Sequence, residues 1–339
     1  MGRYVKLKTP IAIINGATVA GPFEGKGPLA EYIDVIYDDN SLGKPSWEKA
    51  ERMMMESATN NVLIKSNVKP ENVDLFFAGD LLNQIITSSF TARTLQIPFI
   101  GLYGACSTFA QGLVTASLIL QNLDLSMALT ATSSHNSTSE RQFRYPTEYG
   151  VQLPPTAQHT VSGSGATLVS NKYNDGEIYI TAVTVGHIVD SGVIKNPYEM
   201  GAAMAPAAKE AIKTHLQNDM DGIESYDGIF TGDLGKIGKA LVNDMLKEEG
   251  IDIESKYNDC GTMIFDFEKQ DVNSGGSGCA CSAIVTLGFI LNQFKDKIFN
   301  KVLVVSTGSL HSPTSYQQKE TIPGIAHAIC IERIRGLTR

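Results

Sequence analysis

Short apolar runs alternate along the chain with longer segments in which apolar residues recur at the three-to-four spacing of a helix. In the N-terminal half, the short runs are IAIING (11–16), DLFFAG (74–79), FIGLYG (99–104) and SMALTATS (126–133). The longer segments between them are 46–66, 81–95 and 107–122. Buried strands that alternate with helices predict an α/β protein whose sheets are covered by helices on both faces.

The C-terminal half repeats the same order of segments. FFAGDL (76–81) is echoed by IFTGDL (229–234), ACS (105–107) by ACS (280–282), and MALTATSS (127–134) by VLVVSTGS (302–309). Three echoes in one order indicate an internal duplication. We therefore predict two pseudo-symmetric halves, 1–172 and 173–339, whose sheets and central helices pack together.

Composition and charge indicate which kinds of partner and which cellular compartment suit this protein. The chain has 339 residues, 42% of them hydrophobic, and a net charge of −8, which argues against nucleic acid or an anionic membrane surface as a bulk electrostatic partner. No apolar run is long enough to span a membrane, and MGRYVKLKTP (1–10) lacks the apolar core of a signal peptide. Five cysteines without a disulfide-framework spacing favour a reducing compartment.

Two motifs contain residues typical of cofactor sites, one for a metal and one for a nucleotide, but the spacing of those residues does not fit such sites. CAC (279–281) has no second cysteine pair or histidine at metal-ligand spacing, so small buried residues explain it better than a metal site. GATVAGPFEGKG (16–27) follows a strand but lacks the spacing of a dinucleotide fingerprint or a P-loop, and we interpret it as a loop. We therefore expect neither a metal nor a nucleotide cofactor.

The stretch YGACSTFAQG (103–112) places Cys106 where a strand gives way to a helix. A thiol at a helix N-terminus feels the partial positive charge of unpaired N–H groups, which favours the thiolate. Ser107 and Thr108 are candidates to cap this helix, and the neighbouring N–H groups are candidates to bind an anion. The residues alone leave two interpretations open, a reactive nucleophile and a small buried residue in a tight turn.

The segments AGDLLNQIITSSFTARTLQIP (78–98) and YGACSTFAQGLVTAS (103–117) resemble those of the thiolase superfamily, which includes the ketoacyl synthases. The resemblance covers essentially the whole chain. It implies a thiolase-like α/β fold, with two pseudo-symmetric βαβαβαββ halves packed as α-β-α-β-α layers. It also implies a homodimer and an acyl-accepting role for the position of Cys106.

Three C-terminal turns depart from the pattern that this family's chemistry requires, in which His, Asn or a second Cys assist the nucleophile. FTGDLGKIG (230–238) offers Gly232 and Asp233, NSGGSGCACSAI (273–284) offers Gly275 or a neighbour, and STGSLHSP (306–313) offers Ser306 or Thr307. These departures lead us to expect a vestigial nucleophile position and no enzymatic activity.

The alternative is a thiolase- or ketoacyl-synthase-type acyltransferase that uses Cys106 with an atypical base, either His135 or His311.

TSSHNSTSERQFRYPTEYGVQLPPTAQHTVSGSGA (132–166) and TGDLGKIGK (231–239) resemble the stage V sporulation protein AD family of spore-forming bacteria still more closely. That resemblance implies a subunit that binds dipicolinic acid (pyridine-2,6-dicarboxylate), as the dianion or as its calcium chelate. It also implies membrane-spanning partner subunits of a transport system, and a peripheral location on the cytoplasmic or spore-core face of the spore inner membrane.

A flat aromatic dianion requires paired cations, hydrogen-bond donors and a dry wall against its ring. Arg141 and Arg144 lie three apart with aromatic residues interleaved, and the alternative for them is a solvated loop paired with Glu140 or Glu148. The predicted ligand-binding residues are Cys106, Ser107, Ser134, His135, Arg141, Arg144, Lys236 and His311.

Each of these predictions has a plainer alternative. His135 and His311 are individually more typical of structural histidines, and Lys236 of a surface cation. Asp80 and Asp233, in the duplicated GDL turns, are more typical of helix caps than of ligand contacts.

Overall fold

The computed structural model describes residues 2–121, 124–143, 153–172 and 177–334. The strands of the first half are β1 (Arg3–Ala20), β2 (Val35–Ile36), β3 (Leu75–Gly79), β4 (Phe99–Gly101), β5 (Met127–Ser134), β6 (His159–Thr160) and β7 (Gly163–Ser170). Its helices are α1 (Trp47–Lys65), α2 (Ile86–Leu95), α3 (Thr108–Ile119) and α4 (Asn136–Phe143).

The second half follows the same order. Its strands are β8 (Ile178–Val185), β9 (Gly228–Thr231), β10 (Tyr257–Asp259), β11 (Gly276–Ser277), β12 (Lys301–Ser309) and β13 (Gly324–Arg333). Its helices are α5 (Met200–Asn218), α6 (Gly235–Glu248), α7 (Cys260–Met263), α8 (Cys279–Ile284), α9 (Leu291–Lys295) and α10 (Pro313–Gln317), with a π-helical turn at Val285–Ile290 between α8 and α9.

Sheet pairing reveals the duplication directly. The strand order is β10-β9-β12-β13-β8 in the second half and β4-β3-β5-β7-β1 in the first, and β1 joins β8 to make the two sheets continuous. In each half the first two pairings are parallel and the next two antiparallel. The predicted α/β class with two pseudo-symmetric halves is confirmed. The predicted boundary at 172/173 lies between β7 and β8, and residues 173–176 are outside the described part.

The helices form three layers around the two sheets. Helices α3 and α8 pack in the centre, α1 and α2 cover the first-half sheet, and α5 and α6 cover the second. The largest apolar cluster lies in the central layer and includes Phe77, Phe109, Leu113, Phe230 and Ile284. Strands β7 and β12 are buried along their whole length, and β5 is buried except at Met127, which explains why their sequences consist of apolar and small residues apart from Lys301.

Two predicted boundaries are wrong. The segment 16–27 is not a loop throughout, because residues 16–20 continue β1 and pair with β7. Gly16 lets β1 pack closely on the central layer, since a Cβ there would lie 3.2 Å from Leu287 Cβ, tighter than most such contacts. The helix expected over 81–95 begins only at Ile86, after a 3₁₀ turn in which Gln84 and Ile85 have φ of +54° and +45°.

Across the described ranges, none of the helices has both the length and the apolar character of a membrane-spanning segment.

Candidate functional site

A cleft opens where the turn before α3 meets the ends of β11 and β12, so that both halves of the duplication contribute walls. About 430 Å³ of space lies between its lining atoms, part of it open solvent. Its lining residues are Leu81, Tyr103, Ala105, Cys106, Ser139, Phe143, Thr160, Met200, Ser277, Ser309 and His311.

The turn before α3 presents Cys106 to this cleft. Ala105 has a φ of +50°, which turns the chain sharply immediately before the thiol. Ser107 was expected to cap α3 and to contact the ligand, but its hydroxyl donates to Gly104 O at 2.6 Å and it is not among the lining residues. Thr108 likewise donates to Ala105 O at 2.7 Å, so both hydroxyls stabilise the turn.

The carboxyl of Asp233 lies behind Cys106 and accepts hydrogen bonds from three elements. Thr307 Oγ1 donates to Oδ1 at 2.8 Å, while Ser277 Oγ and Gly278 N donate to Oδ2 at 3.1 and 3.0 Å. The Cys106 sulfur lies 3.9 Å from Ser277 Oγ, the same hydroxyl that donates to Asp233. The structure therefore places Asp233, Ser277 and Thr307 around the thiol.

This environment acts against ionisation of the thiol. Burial raises the pKa of Cys106 well above its ordinary value, and the negative charge of Asp233 adds to that increase. Burial also raises the pKa of Asp233, although the hydrogen bonds from Cys106 and Thr307 oppose that shift. The site thus places a carboxyl group near the thiol, whereas an activated cysteine lies beside a histidine, a lysine or another group that stabilises the thiolate.

The two GDL turns behave differently, contrary to the shared capping role expected of them. Asp80 does cap α2, because its carboxyl accepts from Ser88 N at 2.8 Å and from Leu82 N at 3.0 Å. Asp233 does not cap α6. Asp259 does so instead, accepting from Leu234 N at 2.8 Å and from Gly235 N at 3.0 Å.

Of the two predicted histidines, only His311 lines the cleft. Its Nδ1 lies 3.3 Å from Ser309 Oγ, and its ring packs on Phe143 with 5.5 Å between centroids. His135 is fully buried elsewhere, where its Nδ1 accepts from Ser137 N at 3.1 Å and its Nε2 donates to Asn40 O at 2.9 Å. Burial lowers the pKa of His135, so it is a neutral structural histidine.

Ser134 also lies outside the cleft lining. Its hydroxyl donates to Val161 O at 2.7 Å and accepts from Ala280 N, in the first turn of α8, at 3.2 Å. Ser134, at the end of β5, thus hydrogen-bonds to the first turn of α8 and stabilises the packing of α8 on β5.

Two of the predicted cations, Arg141 and Lys236, do not line the cleft. Arg141 forms an ion pair with Glu48, a different partner from the Glu140 or Glu148 weighed from the sequence. Lys236 lies over the Phe267 ring at 3.6 Å, in a separate groove along α6. Arg144 falls outside the described residues. Among the described residues that line the cleft, none is Lys or Arg.

Ser139 is a residue of the cleft lining that the sequence analysis did not single out. Its side chain is only 4% exposed, and its hydroxyl has no hydrogen-bond partner among the described residues. A buried hydroxyl without a partner is costly, and such groups are normally satisfied by protein, water or a ligand. The other lining residues that sequence reasoning missed, Thr160 and Met200, lie in segments without a recognisable motif.

The adjacent cysteines of CAC serve packing. Cys279 donates from its thiol to Ala105 O at 3.1 Å, and Cys279 and Cys281 are both fully buried. In the part of the chain with described coordinates, no three His, Cys, Asp or Glu side chains are grouped as metal ligands.

Comparison with solved structures relates this fold to condensing enzymes. The 3-oxoacyl-[acyl-carrier-protein] synthase III of Aquifex aeolicus VF5 superposes with a TM-score of 0.58 at 12% identity, covering 95% of this chain and 99% of that one. Cerulenin-bound OleA of Xanthomonas campestris superposes with a TM-score of 0.61 at 14% identity, covering 95% and 97%. At these identities the similarity demonstrates the thiolase-like fold alone.

Comparison at the sequence level is more specific. The family model for stage V sporulation protein AD matches residues 2–332. The stage V sporulation protein AD of Bacillus subtilis (strain 168) is 49% identical over 327 residues, which is 96% of each chain. The duplicated halves and the cleft at Cys106 are consistent with this end-to-end similarity. The chain belongs to the stage V sporulation protein AD family.

Proposed function

We propose that this protein is a non-enzymatic subunit that binds dipicolinic acid in the cleft beside Cys106. Membership of a sporulation family supports a role in sporulation, and the chemistry of the cleft supports a small aromatic dicarboxylate as the ligand. In this proposal the subunit captures pyridine-2,6-dicarboxylate and delivers it to the spore inner-membrane transport system during sporulation.

The unpartnered hydroxyl of Ser139 carries the proposal. Ser139 lines the cleft, its hydroxyl oxygen is buried, and no described residue hydrogen-bonds to it. A carboxylate oxygen of a bound ligand would satisfy this donor and recover the free energy that its desolvation costs.

The rest of the lining suits a flat ring with polar edges. Tyr103, Phe143 and Leu81 offer an apolar wall, and Ser309 and His311 offer polar groups on another side. Apolar walls with a few convergent polar groups are the usual composition of a small-molecule site. His311 is also the lining residue able to carry a positive charge opposite a carboxylate.

The absence of enzymatic activity is supported by the surroundings of Cys106. Burial and then the negative charge of Asp233 keep the pKa of its thiol high. A thiol of this kind is a poor nucleophile at neutral pH, because the thiolate is the reactive form.

Isothermal titration calorimetry with dipicolinate tests the proposal. Saturable binding is expected, and benzene-1,3-dicarboxylate, which has the same carboxylates without the ring nitrogen, is the matched ligand control. Repeating the titration with equimolar calcium distinguishes binding of the dianion from binding of the chelate. No heat at millimolar dipicolinate in either condition would overturn the proposal.

The competing function is acyl transfer by Cys106 with an atypical base. The observation in its favour is the position of this thiol, at the start of α3 and facing the cleft. Incubation with radiolabelled acyl-CoA separates the two functions. Stoichiometric labelling that is lost in Cys106→Ser would establish the enzyme, and an unlabelled protein is expected.

The assembly is also part of the proposal. Strand β4 is at one end of the strand order, and Ile86, Phe90 and Ile100 are exposed around it. An open edge with apolar neighbours is a template for pairing with a second strand, which favours a homodimer through β4. The dimer would act as a peripheral subunit on the cytoplasmic or spore-core face of the inner membrane, held there by membrane-spanning subunits.

A further inference from the structure

A second groove lies between α1 and α2, the two helices that cover the first-half sheet. Between its walls is about 640 Å³ of space, part of it open solvent. Among the described residues, this groove and the Cys106 cleft share no lining residue. Helix α1 contributes Glu48, Lys49 and Arg52 to the groove, and α2 contributes Ile86, Thr87 and Phe90.

Two buried polar atoms of the groove residues lack a hydrogen bond within the described part of the chain. Thr87 is only 1% exposed, and its hydroxyl oxygen has no partner there. The Nε of Arg52 is also buried without a hydrogen bond, although Glu56 Oε1 lies 3.5 Å away as an ion-pair partner. Buried donors are normally satisfied by protein, water or a ligand, so an acceptor bound here would recover part of the cost of their desolvation.

The groove and its immediate partners carry a net positive charge. Glu48, the acidic lining residue, is already paired with Arg141, and Glu56 faces Arg52. Lys49 is exposed and adds a further cation. The chain as a whole has a net charge of −8, so this is a local excess of cations on an acidic protein. Such an excess attracts anions, and a guanidinium is well suited to a carboxylate.

Phe90 gives the groove a flat apolar wall. Its ring is part of a side chain that is 36% exposed, and the guanidinium groups of Arg52 and Arg93 lie 5.8 and 4.4 Å from the ring centroid. Ile86, which is 41% exposed, extends this apolar surface. Aromatic rings and guanidinium planes both stack favourably against a flat ring. A ligand that combines a flat ring with a carboxylate would therefore use all of these groups.

We propose that this groove is a second binding site and that its ligand is an aromatic carboxylate. The ring of the ligand packs against Phe90 and Ile86, while the carboxylate accepts from the Thr87 hydroxyl and is balanced by Arg52 and Lys49. The inference rests on the groove residues alone and stands whether or not the Cys106 cleft binds dipicolinate.

Equilibrium dialysis of the full-length protein with radiolabelled benzoate tests the site. We expect saturable binding of one benzoate per chain at millimolar concentrations. Cyclohexanecarboxylate has the charge without the flat ring, and benzamide has the ring without the charge, so both should displace the label poorly. Absence of saturable binding up to about 10 mM benzoate would overturn the inference, including where a dimer through β4 covers the groove.

Thr87→Val removes the hydroxyl and keeps the shape of the side chain. Benzoate affinity should fall at least about tenfold, as expected for a hydrogen bond to a charged group. Thr91→Val is the matched control, because Thr91 is a buried residue of the same helix whose hydroxyl also lacks a partner among the described residues, but it does not line the groove. Equal losses of affinity in the two variants, or none in Thr87→Val, would overturn the inference.

Two further variants separate the groove from the Cys106 cleft. Arg52→Gln should weaken benzoate binding, and it decides the test if Thr87→Val does not fold, since unchanged affinity would then refute the site. Ser139→Ala, in the cleft, should bind benzoate as the wild type does. Loss of benzoate binding in Ser139→Ala, with none in Arg52→Gln, would place the ligand in the cleft; that result would overturn this inference and leave the proposed function standing.

Discussion

Arg141 forms an ion pair with Glu48 and thereby fastens α4 to the first turn of α1. The Arg141 side chain is 52% exposed, and it is not among the residues that line the cleft. A cation that is already paired and faces away from a site adds little to ligand affinity. The pair has a structural use, since α4 also carries Ser139, a residue of the cleft lining.

Arg141→Ala is therefore expected to leave dipicolinate affinity within twofold of the wild type, as measured by calorimetry. Exposed ion pairs contribute little, so the free energy of unfolding in urea should fall by less than about 1 kcal/mol. His311→Ala, on the cleft wall, is the comparison and should weaken binding several-fold. A tenfold loss in Arg141→Ala would show that this guanidinium reaches the ligand.

Ser139→Ala should weaken dipicolinate binding about five- to tenfold, the value of one neutral hydrogen bond of about 1 kcal/mol. Its melting temperature should not fall, because the hydroxyl that it removes has no partner among the described residues.

Ser134→Ala is the matched control, since it removes a hydroxyl that bonds Val161 O and Ala280 N. That variant should lose about 1–3 kcal/mol of stability while keeping the wild-type affinity for the ligand. The opposite pattern, with loss of affinity at Ser134 and none at Ser139, would move the ligand away from α4.

The order and type of the elements could be predicted from the sequence because each buried strand is short, apolar and followed by a helical pattern. The duplication could be predicted because both halves repeat turns at the ends of equivalent strands, such as those at Asp80 and Asp233. The sequence analysis placed the start of α2 too early. Gln84 and Ile85 adopt left-handed conformations, which are usually found at Gly or Asn, so the sequence contains no sign of the turn there.

The site was less predictable than the fold. Cys106 could be found from its local motif, but Ser277 reaches it from 171 residues away through the packing of α8 against the central layer. The orientation of a long side chain cannot be read from spacing, and Arg141 and Lys236 lie at Glu48 and over Phe267 and not in the cleft lining. Asp233 resembled a cap in the sequence, and its neighbour Asp259 took that role.

Glu24 provides a pH test of the interior. It is 1% exposed, its Oε1 accepts from Ser162 N at 2.9 Å, and burial raises its pKa to about 7 from 4.5. The folded protein thus retains a proton that the unfolded chain releases. The resulting stability is fully present below pH 4.5 and is lost as the pH rises through about 7, by at most about 3 kcal/mol.

Glu24→Gln keeps a neutral side chain of the same size, so its free energy of unfolding should not show this decline. Urea unfolding at pH 5, 6, 7 and 8 measures this free energy. The stability of the variant relative to the wild type should increase as the pH rises. The exposed Glu31→Gln serves as the control. Parallel curves for Glu24→Gln and the wild type would mean that Glu24 is ionised in the folded protein.

If the homodimer forms through β4, a single charged substitution on this edge strand should convert the dimer into monomers. Ile100 lies on β4 and is 39% exposed, so in the dimer its side chain would be buried against the partner strand. Ile100→Arg would bury an unpaired cation there, and size-exclusion chromatography with light scattering should report half the wild-type mass. Ile64→Arg, at an isoleucine on α1 that is 76% exposed, should keep the wild-type mass. A dimeric Ile100→Arg would place the subunit contact on another face.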